Sequence, residues 1–129
     1  MKPEMTFLLW SVALAFAQAL VAVQGAFMQV GLRMLAGSRE NMPVITGWAG
    51  RAARAHRNMI ENLVLFAALV LVCMETDKTN NMTLLGAQLF FWARLIYAFV
   101  YVAGIAWLRT GVWLVSVVGL GLIFVRLVK

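Results

Sequence analysis

The chain holds one cysteine, Cys73, and one histidine, His56. A lone cysteine forms no disulfide within the chain, and one Cys with one His builds no metal cluster. Cys73 lies near the end of an apolar run and reads as a small packing residue. Charge is scarce as well: 12% of the 129 residues are charged, 11 of them basic and 5 acidic. The basic residues collect at the ends of apolar runs, and no basic patch with interleaved aromatics lies outside those runs. That pattern sets membrane topology and excludes a nucleic-acid partner. No internal repeat or low-complexity tract is present. What remains is apolar: 64% of residues are hydrophobic. A soluble core of this size cannot hide so much apolar surface, so the chain reads as an all-α integral membrane protein of one domain, residues 1–129.

Breakers divide the chain into helices of about 5–35, 48–74, 82–108 and 111–128. Met5 to Leu32 carries no charge and spans about 42 Å as a helix, more than the ~30 Å of a hydrocarbon core. A cleavable signal peptide, with Ala15-Phe-Ala17 as its cleavage site, is the rival reading. The apolar run continues past that site, which favours a retained first helix. Its alanines recur at four-residue spacing (Ala15/Ala19, Ala22/Ala26), which suits close helix packing. Gly37, Ser38, Asn41, Pro43 and Gly47 mark the longest loop, Glu75 to Asn81 a short polar turn, and Thr110-Gly111 a cap before the fourth helix. Four spans place both termini on one side. Arg33, Arg39, Arg51, Arg54, Arg57 and Arg109 flank the other, against Lys2, Lys78, Arg126 and Lys129 on the terminal side. The positive-inside rule then puts both termini on the non-cytoplasmic side.

Two polar stripes interrupt the apolar helices. At about 100° per residue, Arg51, Arg54, Asn58 and Glu61 share one face of the second helix, with Arg57 on its edge and His56 pointing away. Arg94 lies near the middle of the third helix, where an arginine costs about 2.5–3.5 kcal/mol on the insertion scale. Tyr97 and Tyr101 share its face, and Arg109 falls near the same face at the end of that helix. Facing each other, the stripes make a pocket with excess positive charge. Arginines bind carboxylates bidentately, Glu61 accepts from an ammonium group, and tyrosine hydroxyls donate to a carboxylate or thiolate. The ligand implied is small, bears carboxylates, and is met at the membrane–water boundary. Plainer readings stand beside this one. Glu61 and Arg94 can pair as structural glue; Arg51, Arg57 and His56 can meet lipid headgroups; Trp10, Trp48, Trp92, Trp107 and Trp113 include interfacial anchors.

The second helix, Arg-Ala-His-Arg-Asn-x-x-Glu from Arg54 to Glu61 entering an apolar run, closely resembles the MAPEG family, the membrane-associated proteins of eicosanoid and glutathione metabolism. The resemblance extends to Ala93-Arg94-Leu-Ile-Tyr97-x-x-x-Tyr101-x-x-Gly104 followed by Arg109, and to the length, spans and long first loop of a bacterial-type member. It implies a homotrimer of four-helix subunits in the bacterial inner membrane, with glutathione bound between neighbouring subunits near the cytoplasmic side. It implies that Arg54, Asn58, Glu61, Arg94, Tyr97 and Tyr101 hold glutathione, that Arg33 of a neighbouring subunit contacts the tripeptide, and that His56 stands where some relatives touch it. Arg109 resembles the arginine that stabilises the glutathione thiolate. Trp113 stands roughly where some relatives have a tyrosine, and Thr110 is placed to replace a neighbouring serine.

The expected function is a glutathione-dependent membrane transferase or peroxidase acting on small lipophilic electrophiles, with membrane lipids and further copies of the chain as partners. The alternative is a non-catalytic lipid- or fatty-acid-binding membrane protein of the same fold. A small transporter or channel subunit is a third reading, disfavoured by four short spans without broken helices.

Overall fold

The computed structural model describes residues 1–129. The apolar runs form four helices: α1 (Pro3–Ala36), α2 (Gly47–Glu75), α3 (Asn81–Ala103) and α4 (Ala106–Val128). Each is long and apolar enough to cross a membrane, and the chain is a multi-pass integral membrane protein. Helices satisfy their own backbone groups, which is what a span in hydrocarbon requires.

Local chemistry explains where each helix begins and ends. Pro3 occupies the first turn of α1, where its missing N–H costs nothing. Near the other end, Gly31 has φ 81°, a left-handed value that glycine adopts freely, and it kinks α1 just before Arg33. A capping box opens α3: the Thr83 N–H donates to Asn80 Oδ1 at 3.0 Å, and the Asn80 N–H donates to Thr83 Oγ1 at 2.9 Å. Gly104, at φ 82°, closes α3, and its N–H donates to the carbonyls of Tyr101 and Val100.

That closure corrects the sequence reading of the third and fourth helices. The third helix stops at Ala103, not near Leu108, and the fourth starts at Ala106, not at 111. The left-handed turn at Gly104 outweighs the apolar continuation through Trp107 and Leu108. Arg109 therefore belongs to the first turn of α4, where its N–H donates to the Ile105 carbonyl at 3.0 Å. Thr110-Gly111, expected as a cap, lies inside α4, and the Thr110 hydroxyl donates to the Ala106 carbonyl at 3.3 Å.

The helices are not packed equally. α3 and α4 make the most extensive pairing, α1 rests on α2 and α3, and the backbones of α1 and α4 do not approach closely. The α2/α3 pair is thus a wall, with α1 on one side and α4 on the other. Small residues set the closest approaches: a methyl on Gly86 would lie 2.6 Å from the Gly119 carbonyl oxygen, and one on Gly119 would lie 2.6 Å from that of Gly86. The core between the helices holds Met59, Phe66, Val70, Ala87, Phe90 and Ile123, with the Phe66 and Phe90 rings stacked at 4.1 Å. Cys73 is buried and free.

Both termini meet the α2–α3 turn at one end of the bundle. Lys2 Nζ lies 3.2 Å from Asp77 Oδ1 and donates to Thr79 Oγ1 at 3.0 Å. Thr83 Oγ1 donates to the carboxylate of Glu4 at 2.7 Å, and Glu4 is only 3% exposed. Lys78 Nζ donates to the Leu127 carbonyl at 3.0 Å. At the other end, the Gln29 amide clasps the long loop: its Nε2 donates to the Thr46 carbonyl at 2.8 Å, and the Thr46 N–H donates back to Oε1 at 3.0 Å.

Candidate functional site

On the α4 side of the wall, three helices converge on a polar cavity of about 340 Å³. α2 supplies Arg54, Arg57, Asn58 and Glu61; α3 supplies Tyr97 and Tyr101; α4 supplies Arg109. The α2 residues recur every three or four positions, which keeps them on one face of the helix. Three arginines against one glutamate leave the lining with an excess of two positive charges. A smaller cavity of about 180 Å³ shares Asn58, Tyr97 and Arg109 with it and adds Thr110 and Trp113. Arg109 thus stands on the boundary between the two.

Arg94 lies behind this cavity, 1% exposed. Its Nη2 donates to Asn58 Oδ1 at 2.8 Å, and its guanidinium sits 4.2 Å over the Tyr97 ring. Its Nε and Nη1 are buried with no hydrogen-bond partner. No carboxylate neutralises it: the ion pair between Glu61 and Arg94 is not formed, and the one salt bridge in the chain is Lys2–Asp77, at the other end of the bundle. A buried charge without a counter-ion raises the positive potential of the adjacent cavity, because little water intervenes to screen it. Tyr97 is buried between the two arginine environments, edge-on to Tyr101 at 5.5 Å. Tyr101 in turn presents its ring to Arg109, whose guanidinium carbon lies 4.8 Å from the centroid.

The structure thus brings Arg54, Asn58, Glu61, Tyr97, Tyr101 and Arg109 together around one cavity and sets Arg94 in its supporting layer. Arg33 is not among them. Arg33 lines a separate cavity of about 450 Å³ at the end of α1, with Ser38, Arg39, Glu40 and Asn41 of the loop, and that cavity shares no residue with the charged site. His56 lies off the site too, half-buried, with Nδ1 unpartnered. Arg51, which helical phase puts on the stripe, turns elsewhere. Its Nε donates to the Val102 carbonyl at 2.8 Å, and its guanidinium packs against Gly104. It therefore ties the start of α2 to the α3–α4 turn. Arg57, set on the stripe's edge and assigned to headgroups by sequence, lines the cavity. Its three-residue spacing from Arg54 was the available signal.

A comparison with curated proteins and one with solved structures find no match. A family model does: that of the MAPEG family matches residues 7–129, nearly the whole chain. The chain belongs to the MAPEG family.

Proposed function

We propose that the charged cavity binds glutathione, and that the protein is a membrane glutathione transferase or peroxidase for lipophilic electrophiles. Membership of the family supports a membrane protein of glutathione or lipid metabolism in general. The observation that carries the finer reading is Arg94, a buried cation with one neutral partner beside a cavity already rich in arginine. An anionic ligand supplies the missing counter-charge. Glutathione fits the donor set: two carboxylates for the arginines, and an ammonium group for Glu61. The volume also lies in the range of small-molecule sites, about 300–1,000 Å³.

Glutathione supplies a thiol, whose thiolate form is the nucleophile. Arg109 is the residue assigned to it. A guanidinium beside the sulfur favours the deprotonated form and lowers the thiol pKa. Tyr101 holds that guanidinium through its ring face. Arg54 and Arg57 anchor carboxylates, Glu61 the amine, and Asn58 couples the cavity to Arg94. The smaller cavity beyond Arg109, lined by Thr110 and Trp113, gives an electrophile a place to meet the sulfur.

Arg33 does not line the cavity of its own subunit, and in a homotrimer it reaches that of a neighbour; His56 stands outside the cavity, at a position where some relatives touch glutathione. The arginine-rich end faces the cytoplasm of a bacterial inner membrane, which admits glutathione from the aqueous side while the apolar substrate arrives through the bilayer. The test uses purified protein, glutathione and a generic aromatic electrophile. The wild type should conjugate and develop a thiolate absorbance band; Arg109→Ala should lose both while retaining millimolar glutathione binding. Binding with no thiolate band in the wild type supports a non-catalytic lipid-binding role instead. Absence of glutathione binding overturns the assignment.

A further inference from the structure

The α1 side of the wall holds a second cavity, of about 400 Å³, between α1, α2 and α3. It shares no residue with the charged site. On α2 its residues Ala52 and Ala55 point about 150° and about 90° away from the centre of the Arg54–Asn58–Glu61 face, at about 100° per residue. Nine of its ten lining residues are hydrophobic, and alanines from all three helices (Ala17, Ala52, Ala55, Ala98) leave the space open. The exception is Gln18. It lies within the 34-residue apolar span of α1, is 9% exposed, and its carbonyl oxygen is buried without a hydrogen-bond partner. A glutamine at that depth is expensive unless something satisfies it. Nothing in the chain does.

We infer that this cavity is a binding site for one hydrocarbon chain bearing a hydroxyl group, with Gln18 as the group that recognises the hydroxyl. The walls explain the chain, and Gln18 explains the oxygen. A plain acyl chain gains little by leaving the bilayer, because lipid tails are as apolar as the lining. Selectivity therefore rests on the amide. A hydroxyl both donates and accepts, so it satisfies the glutamine side chain whichever way the amide is turned. The site is independent of the glutathione reading and stands if that reading falls.

The experiment offers the purified protein equal amounts of stearic acid and a mid-chain hydroxystearic acid and measures retention of each by native mass spectrometry. The wild type should favour the hydroxylated chain by about three- to tenfold, the selectivity that one net hydrogen bond provides. Gln18→Leu should retain both chains equally, since it keeps the apolar volume and removes the polar group. Ala98→Phe should fill the cavity and release both. No preference in the wild type, or a preference that survives Gln18→Leu, overturns the proposal. So does an Ala98→Phe variant that changes the oligomeric state and leaves lipid retention intact, because the cavity then belongs to contact with a second copy.

Discussion

Arg94 carries a full charge into the bundle on the strength of one carbonyl oxygen and one ring face. Removing its partner and removing the charge should therefore have opposite effects. Asn58→Leu leaves the guanidinium without its acceptor and should cost about 1.5–3 kcal/mol of stability, the range for hydrogen bonds to charged groups. Arg94→Met removes the buried cation itself and should leave thermal stability unchanged or higher, while glutathione affinity falls. The double variant should recover most of what Asn58→Leu loses. A thermal-unfolding double-mutant cycle in one detergent reads the coupling directly, and additivity of the two changes would show that the pair does not interact. At this scale the sequence was readable where helical spacing alone decides. Arg54, Asn58 and Glu61 recur on one face, and so do Arg94, Tyr97 and Tyr101. Arg51 was misplaced because phase says which way a side chain leaves the helix and not what a long side chain then reaches. Its guanidinium found the open carbonyl end of α3.

The elements α3 and α4 are joined by a two-residue turn, and that turn decides where Arg109 stands. In the sequence, Gly104 is one glycine among apolar residues, while Thr110-Gly111 is the stronger punctuation. Glycine is tolerated within helices, so neither signal separates a stop from a passing residue. The conformation at Gly104 does. Arg51 reinforces it from α2, so Arg51→Met should lower the thermal midpoint and loosen the turn. Faster amide exchange at Ala103 to Ala106, with the distant α2–α3 turn unchanged, is the expected signature; uniform exchange across both turns would refute it. The Gly86/Gly119 contact makes a second element-level prediction. Gly86→Ala pushes a methyl into the backbone of α4 and should destabilise by roughly 1–3 kcal/mol, as overpacking does. A methyl on Gly121, in α4, meets no neighbouring atom within 4 Å, so Gly121→Ala should stabilise by up to about 1 kcal/mol through helix propensity. Equal midpoints for the two variants would contradict the packing.

At the scale of the whole molecule, the α2/α3 wall gives the bundle two unlike sides. One is charged and bordered by α4; the other is apolar and bordered by α1. Composition and spacing announced four spans and one charged pocket. They did not announce the second cavity, because its alanines read as helix-packing residues and Gln18 as an isolated polar residue in an apolar run. The bundle also has two unlike ends, with the arginines gathered at the loops opposite the termini. Single cysteines placed at Ser38 and at Thr79, in a Cys73→Ala background, should react with an impermeant thiol reagent from opposite faces of sealed vesicles. Labelling of both from the same face would reject the four-span path. The fastening at the terminal end has a further consequence for how the protein is made. Lys2 and Glu4 are made before their partners Asp77 and Thr83, which follow 75 and 79 residues later. During synthesis the leading helix waits in the bilayer with its acidic residue unclaimed, and it is clasped only when the third helix arrives. The fastening of α1 at this end therefore waits on the start of α3.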